Sequence, residues 1–174
     1  MFILFIAFAA VIFLDVAAFT ATGSETLQPD GTPLAKALVV YDPGLSGSAK
    51  TVAYKVALDL QAQGCTVNFA GIKSGTAANT TGYNIVVAGG PIYAGAPTGS
   101  VKDFLTNLNP AGTSKVGVFG SGQGATSPED VAAIRNAVPA LQDGGALANA
   151  VVVKIGQSED LDARAADFVS QLLQ

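Results

Sequence analysis

The sequence predicts an α/β fold: a doubly wound, five-stranded parallel sheet with helices on both faces, preceded by an N-terminal apolar helix. Over residues 36–174, short β-rich runs alternate with helical patterns, which is typical of a parallel sheet. Several of these runs are continuously apolar, as expected for strands that are buried on both faces. Separately, residues 1–14 contain no polar side chain, which predicts the apolar helix.

The composition excludes several functional classes. Charged residues make up only 13% of the chain, about half of the ~25% that is usual for soluble domains. Disordered chains and proteins that coat nucleic acids need more charge, so we expect no nucleic-acid partner. The chain has no histidine and only one cysteine, Cys65. These absences exclude histidine-based triads and dyads, His-ligated zinc and an intramolecular disulfide, and we expect no metal site.

Residues 1–23 are interpreted as a single-pass transmembrane anchor. This stretch is close to the ~20 residues that a spanning helix needs, and its twelve Leu, Ile, Val and Phe residues outweigh the cost of Asp15. A cleaved signal peptide is the second interpretation, although a basic n-region is missing. A buried core helix is the third. The first basic residue is Lys36, so the positive-inside rule does not decide on which side of the membrane the domain lies.

Residues 24–35 are interpreted as a linker because Pro29, Asp30-Gly31 and Pro33 are turn-forming residues. The domain proper is then 36–174. Its five predicted strands, in chain order, are Ala37–Tyr41, Thr66–Ala70, Asn84–Ala88, Val116–Phe119 and Ala150–Ile155.

Four helical patterns separate or follow these strands. The apolar spacing places them at about 49–60, 101–108, 127–138 and 158–172. The third pattern has the clearest start, because Ser127 is a good N-cap and Pro128 suits the first helical position. Pro139 is expected to kink or end that helix. Residues 74–81 are small and polar, so they predict a short crossover without a confident helix.

Three predicted strands end in glycine-dense loops. These loops cover 42–50 (DPGLSGSAK), 89–95 (GGPIYAG) and 120–124 (GSGQG). Ligands of parallel sheets bind beyond the carboxyl ends of the strands. A Gly/Ser loop that enters a helix there offers free N–H groups to a phosphate. None of the loops matches the GxGxxG or GxxxxGKS/T motif, which disfavours dinucleotide and P-loop sites.

The three loops resemble those of the flavodoxin family, whose members bind FMN, and the resemblance covers about residues 36–174. The first matching stretch is Val39-Val40-Tyr41 followed by 46–50 (SGSAK), which resembles the phosphate loop. The second, 90–97 (GPIYAGAP) followed by 101–105 (VKDFL), is similar to the loop that covers one flavin face and the helix after it. The third, 118–122 (VFGSG), resembles the loop that contacts the isoalloxazine ring.

The resemblance implies a short-chain flavodoxin fold with strand order 2-1-3-4-5 and FMN as the cofactor. It implies that the Ser46 and Ser48 hydroxyls and the N–H groups of 47–50 hold the phosphate. It also implies that Tyr93 stacks on the ring and that Ser121 and Gly122 touch its edge. The full set of expected cofactor-binding residues is Ser46, Gly47, Ser48, Ala49, Lys50, Pro91, Ile92, Tyr93, Ala94, Gly95, Ser121 and Gly122.

The sequence departs from the family pattern at several positions. The first loop is longer than usual, with Asp42-Pro43-Gly44 near its start. Ala49 replaces the final threonine, whose hydroxyl normally contacts the phosphate. The chain has no tryptophan, so Tyr93 is the only aromatic residue in the three loops. A phosphate site in this loop also requires that the Asp42 carboxylate point away from it.

The function predicted from these patterns is that of a membrane-tethered, flavodoxin-like electron carrier that uses FMN and an unidentified redox partner. One alternative is an interaction module of the same fold that has lost FMN. Another is an FMN-dependent quinone or NAD(P)H reductase, although the short loops leave little material for a substrate platform. The sequence favours a redox carrier over an enzyme with its own substrate without deciding between them.

Overall fold

The computed structural model of the protein describes residues 20–112 and 114–174. Residues 1–19, apolar except for Asp15 and called the apolar run below, make up most of the predicted single-pass anchor helix 1–23 and lie outside the described residues. Within the described part of the chain, no helix has both the length and the hydropathy needed to cross a membrane.

The described chain forms seven strands, four α-helices and one 3-10 turn. In chain order they are β1 (Ser24–Leu27), β2 (Ala35–Tyr41), α1 (Ser48–Ala62), β3 (Cys65–Gly71), β4 (Ile85–Tyr93), β5 (Ala96–Pro97), α2 (Gly99–Asn107), β6 (Lys115–Gly122), α3 (Pro128–Asn136), the 3-10 turn (Pro139–Leu141), β7 (Val151–Gly156) and α4 (Leu161–Leu173).

The central part of the sheet confirms the predicted topology. The strand order is β1-β3-β2-β4-β6-β7, and β2, β3, β4, β6 and β7 run parallel. These five are the predicted strands in the predicted order 2-1-3-4-5. Their register aligns apolar residues across the sheet, with Val39 beside both Phe69 and Val87.

The prediction of five strands was wrong, because two further strands join the sheet. Strand β1 lies antiparallel beside β3, with Ser24 opposite Ala70, so the predicted linker 24–35 contains β1 and the start of β2. The mostly exposed SETL sequence of β1 gives no apolar run to reveal a strand, and only pairing with the edge of β3 creates one. Strand β5 is a two-residue hairpin partner of β4.

Residues 21–23, which the sequence analysis assigned to the anchor, belong to the folded domain. Ala21 is only 3% exposed. Its carbonyl accepts the N–H of Lys73 at 2.9 Å, and the carbonyl of Gly23 accepts the N–H of Gly71 at 2.8 Å. A Cβ on Gly71 would lie 2.3 Å from the Ala21 carbonyl, so this close approach requires glycine at residue 71.

Helices cover both faces of the sheet, which confirms the doubly wound arrangement. On one face, Ala37, Val39 and Tyr41 of β2 pack in a core that includes residues of α1 and α4. On the other face, the alternate β2 residues Leu38 and Val40 pack in a core that includes residues of α2 and α3. The β2 side chains from Ala37 to Tyr41 are all buried because this part of the strand lies between two apolar layers.

The helix boundaries follow the local capping chemistry. Ser127 and Asp130 form a capping box at the start of α3, which ends at Asn136, before Pro139 opens the 3-10 turn. Helix α4 begins later than predicted, because the side chain of Asp160 rather than Ser158 accepts the free N–H groups of its first turn. Residues 74–81 form turns without a helix, as the sequence predicts.

Candidate functional site

The predicted loops meet at the end of the sheet where the parallel strands finish, which we call the carboxyl edge. A Cβ on Gly44 would lie 2.6 Å from Pro91 Cγ and 3.2 Å from the Tyr93 hydroxyl, so the first loop packs directly on the second. Ser121 of β6 lies beside Pro91 in the β4–β6 register, which brings the third loop next to the second. The structure thus brings together all three segments that the sequence singled out.

The start of α1 offers unpaired N–H groups at this edge. Its N-cap is Gly47, with φ of 72° and no side-chain cap, and its first turn contains no acidic residue. The Ser46 and Ser48 hydroxyls lie 2.9 Å apart, and the N–H of Ser48 makes only a long 3.4 Å contact to Ser46 Oγ. Because a helix start carries unsatisfied donors and positive potential, this arrangement suits an anion.

Two of the predicted phosphate contacts are more limited than expected. The N–H of Lys50 already donates to the Gly47 carbonyl at 3.1 Å. Ala49 is fully buried in the core beneath α1, so its methyl group faces protein and it offers an N–H alone. The Lys50 ammonium lies 6.0 Å from the Tyr41 ring centroid, which leaves it as a charge near the start of the helix.

Asp42 does not face the start of α1, because its carboxylate is held at the start of α2. Oδ1 accepts the N–H of Gly44 at 2.9 Å, and Oδ2 accepts the hydroxyls of Thr98, at 2.8 Å, and Ser100. Burial opposes ionisation of Asp42, but these hydrogen bonds and the charge of Lys73 outweigh it and lower the pKa of the carboxyl group. The Asp42 carboxylate therefore points away from the start of α1, as a phosphate site in the first loop requires.

The second loop ends in a tight hairpin that presents an aromatic ring. Pro91 is buried and Ile92 is half-buried, whereas Tyr93 is 52% exposed. Ala94 and Gly95 form the turn between β4 and β5, and both have positive φ, 49° and 81°, as a two-residue hairpin turn requires. The turn places the Tyr93 hydroxyl near Gly44, with the ring beside the first loop.

The third loop contains a buried hydroxyl without a partner. Ser121 is 1% exposed, and its Oγ makes no hydrogen bond within the described chain. Such a group costs about 1–3 kcal/mol unless something satisfies it. Strand alternation places Ser121 on the face of Phe119, which packs in the core beneath α1. The unsatisfied hydroxyl therefore lies on the same side of the sheet as the free N–H groups of α1.

Sequence reasoning missed Gln157, which connects the first and third loops. Its Nε2 donates to Ser48 Oγ at 2.9 Å, and its backbone N–H donates to the Gly122 carbonyl at 2.9 Å. The available signal was its position directly after β7, since the carboxyl ends of all parallel strands meet at one edge.

An ionic network fixes the segment that directly follows the third loop. Lys154, only 7% exposed, pairs with Asp130 at 2.8 Å and donates to the Ala125 carbonyl at 3.1 Å. Glu159 accepts the Gly156 N–H and the Thr126 hydroxyl. The hydrogen bond from Lys154 lowers the pKa of Asp130. These side chains therefore fix the segment 125–127, and both carboxylates have structural partners.

This topology and the position of the three loops define a flavodoxin-like α/β fold. A Streptococcus pneumonia TIGR4 flavodoxin aligns with a TM-score of 0.56 and 20% identity, over 80% of this chain and 98% of its own. An oxidised flavodoxin 2 from Bacillus cereus aligns with a TM-score of 0.55 and 22% identity, over 80% and 98%.

An apo NADH:FMN oxidoreductase also shares the fold, with a TM-score of 0.57 and 17% identity over 79% of this chain and 88% of its own. No protein-family model and no curated protein sequence matches the chain. At these identities the similarity is one of fold, and the chemistry of the site has to be argued from its own residues.

Proposed function

We propose that the protein is an FMN-binding electron carrier. One observation carries the proposal: three glycine-rich loops meet at the carboxyl edge that holds the uncapped start of α1, and the buried, unpartnered hydroxyl of Ser121 lies on the same side of the sheet. The shared fold of flavodoxins and of an NADH:FMN oxidoreductase supports the choice of flavin as the ligand. The proposal includes a membrane tether, which rests on the apolar run 1–19 of the sequence.

The first loop would hold the FMN phosphate. The hydroxyls of Ser46 and Ser48 and the free N–H groups of 47–49 supply hydrogen bonds, and the dipole of α1 supplies positive potential. The Lys50 ammonium adds charge nearby. Asp42 does not oppose the dianion directly, since its own hydrogen bonds turn its carboxylate toward α2.

The second and third loops would hold the ring. Tyr93 is the exposed aromatic residue at the edge and would stack on one flavin face. Ser121 would give its unused hydrogen bond to the polar edge of the ring. Bound FMN supplies the electron-transfer chemistry, whereas the chain binds and orients it and sets its electrostatic surroundings.

The loop lengths favour a carrier over a reductase with its own substrate. The turn between β4 and β5 has only two residues, and strand β5 follows at once. The segment 125–127, directly after the third loop, is fixed by Lys154, Glu159 and Asp130. The second loop and the segment after the third loop therefore offer no long stretch to form a platform for a second substrate.

The test is a titration of the full-length protein with FMN, followed by flavin fluorescence, with riboflavin as a ligand that lacks the phosphate. Changing both Ser46→Ala and Ser48→Ala should weaken FMN binding, because each lost hydrogen bond to a charged group contributes about 1.5–3 kcal/mol. Riboflavin binding should not change. Thr106→Ala removes an exposed hydroxyl on α2 and serves as the matched control.

Ser121→Ala tests the ring site independently. It should weaken FMN and riboflavin alike, while the ligand-free protein becomes more stable by about 1 kcal/mol because an unsatisfied buried group is removed. Absence of FMN binding at millimolar concentration would refute the proposal and favour the interaction module. Steady NADH oxidation by the FMN-loaded protein would instead identify a reductase.

A further inference from the structure

The chain enters the folded domain at the carboxyl edge. Because β1 runs antiparallel to β3, residues 20–23 lie beyond the carboxyl end of β3, where Gly71 and Lys73 donate to the carbonyls of Gly23 and Ala21. All three loops of the candidate FMN site lie at this same end of the sheet. The apolar run 1–19 is therefore joined to the domain on the side that carries the site.

No flexible linker lies between residue 20 and the folded domain. Residues 24–35, interpreted from sequence as a linker, form β1, a turn and the start of β2. The turn is fixed as well, since Leu34 donates its N–H to Gly64 and Gln61 donates to the Gln28 carbonyl. Ala21 is already buried, so folded structure begins immediately after the apolar run.

The apolar run makes up most of the stretch 1–23 that the sequence predicts as a membrane anchor, with Asp15 as its one charged residue. About 20 residues are needed to cross the ~30 Å hydrocarbon layer. If the run fills the bilayer, the carboxyl edge is brought to the level of the lipid headgroups.

The carboxyl edge also carries side chains that suit a headgroup surface. Leu45, in the first loop, is 86% exposed, and Tyr93, in the second, is 52% exposed. Tyrosine is enriched at membrane interfaces, because its ring is apolar and its hydroxyl is polar. The exposed Lys73 lies beside the point of entry. The acidic starts of α3 and α4 follow β6 and β7, in the other half of the sheet.

We propose that the carboxyl edge is held against the lipid headgroup surface by the direct connection at Thr20, with the half of the sheet that contains β2 and β3 nearest to the bilayer. The orientation of the domain is then set by its fold and not by a flexible tether. The consequence rests on the proposed function: a flavin at this edge exchanges electrons with a partner whose redox centre is reached at the membrane surface.

Two exposed leucines at opposite ends of the sheet provide a matched test. Leu45 follows β2 and is 86% exposed, whereas Leu34 precedes β2 and is 82% exposed. The length of β2 separates them by about 20–25 Å. In full-length protein carrying Cys65→Ala, either Leu45→Cys or Leu34→Cys provides one site for a fluorophore. The protein is placed in phosphatidylcholine vesicles that contain a nitroxide-headgroup lipid.

We expect strong quenching of the label introduced by Leu45→Cys and weak quenching of the label introduced by Leu34→Cys. Equal quenching, stronger quenching at the Leu34 position, or failure of the full chain to float with the vesicles would overturn the inference. Circular dichroism of both labelled proteins checks that the fold is intact.

A second variant tests whether the short connection at Thr20 causes the difference in quenching between the two label positions. Insertion of about 20 Gly/Ser residues between Thr20 and Ala21 adds a flexible tether with an end-to-end distance of ~25 Å. The difference in quenching between the two positions should then largely disappear. If it persists, lipid contacts set the orientation and the tether argument is wrong.

The same vesicles separate this inference from the proposed function. FMN binding is followed by its fluorescence on the unlabelled protein and on the protein labelled at the Leu34 position, away from the candidate site, and the quenching of the labels is followed separately. If FMN does not bind but the two labels are quenched to clearly different extents, the flavin site is refuted and the orientation is supported. FMN binding with equal quenching of the two labels would refute the orientation and leave the proposed electron-carrier function intact.

Discussion

At the scale of single residues, Asp42 shows how the chain adapts an acidic side chain to a candidate anion site. Its carboxylate accepts hydrogen bonds from Gly44, Thr98 and Ser100 and so joins the first loop to the start of α2. The positive end of the α2 dipole, at the start of that helix, stabilises the negative charge of Asp42. The first loop is therefore fixed by an interaction that leaves the start of α1 free.

Asp42 also predicts a pH-dependent contribution to stability. The folded protein lowers the pKa of this carboxyl group, so its contribution is complete above the pKa of the unfolded chain, ~3.9. The contribution is lost as the pH falls through the folded pKa. Asp42→Ala should lower the free energy of unfolding by about 2 kcal/mol at pH 7, and the difference from wild type should shrink near pH 3.

Urea denaturation at the two pH values measures this difference. Asp143→Ala removes an exposed carboxylate after the 3-10 turn and should change stability by less than about 0.5 kcal/mol. A destabilisation by Asp42→Ala that is equal at pH 7 and pH 3 would show that the charge of Asp42 does not contribute.

At the scale of elements, the β4–β5 hairpin stands out for its turn. Ala94 has φ of 49°, a left-handed conformation that costs an alanine about 1 kcal/mol. The turn sets the direction of Tyr93 and brings the second loop onto Gly44. The strained backbone of Ala94 therefore directly follows the exposed aromatic residue Tyr93.

Relief of that strain is measurable. Ala94→Gly should raise the free energy of unfolding by about 0.5–1 kcal/mol, because glycine adopts positive φ without a steric penalty. Ala96→Gly, two residues later in β5, is the matched control and should lower stability by about 0.5–1 kcal/mol. Thermal unfolding of both variants checks the sign; a loss of stability in Ala94→Gly would contradict the argument.

The elements that the sequence predicts are those whose signal is local. Continuous apolar runs mark β2, β4 and β7, and Ser127 and Pro128 mark the start of α3. Strand β1 has no such signal, since its strand character comes from pairing with residues 67–70. The contact of Gln157 with Ser48 and the missing partner of Ser121 likewise depend on which strands are neighbours, so sequence patterns identified the loops but not these details.

At the scale of the whole molecule, β1 closes one edge of the sheet. Without it, β3 would present unpaired N–H and C=O groups to solvent, and such edges promote association with other chains. Thr26 Oγ1 donates to Asn68 Oδ1 at 2.9 Å, and Leu27 packs against the core of the α1 face. The segment nearest the apolar run is therefore part of the structural unit.

Two truncations test this role of β1. A chain that starts at Thr20 should fold with its sheet complete, whereas a chain that starts at Gln28 lacks β1. The shorter chain should be less stable by about 2–4 kcal/mol, because each lost backbone hydrogen bond contributes ~1 kcal/mol. It should also associate as its concentration rises. Urea denaturation and sedimentation measure both effects; equal stability and a monomeric shorter chain would contradict the assigned role.

The pairing of β1 with β3 also determines the order in which the protein can be completed during synthesis. Ser24 leaves the ribosome well before Ala70, its partner in the register, and synthesis proceeds at about 5–20 residues per second. For several seconds after its synthesis β1 therefore has no strand to join. Strands β1 and β3 are nevertheless complete before β4, β6 and β7 are synthesised, so this edge of the sheet can close while the opposite half is still missing.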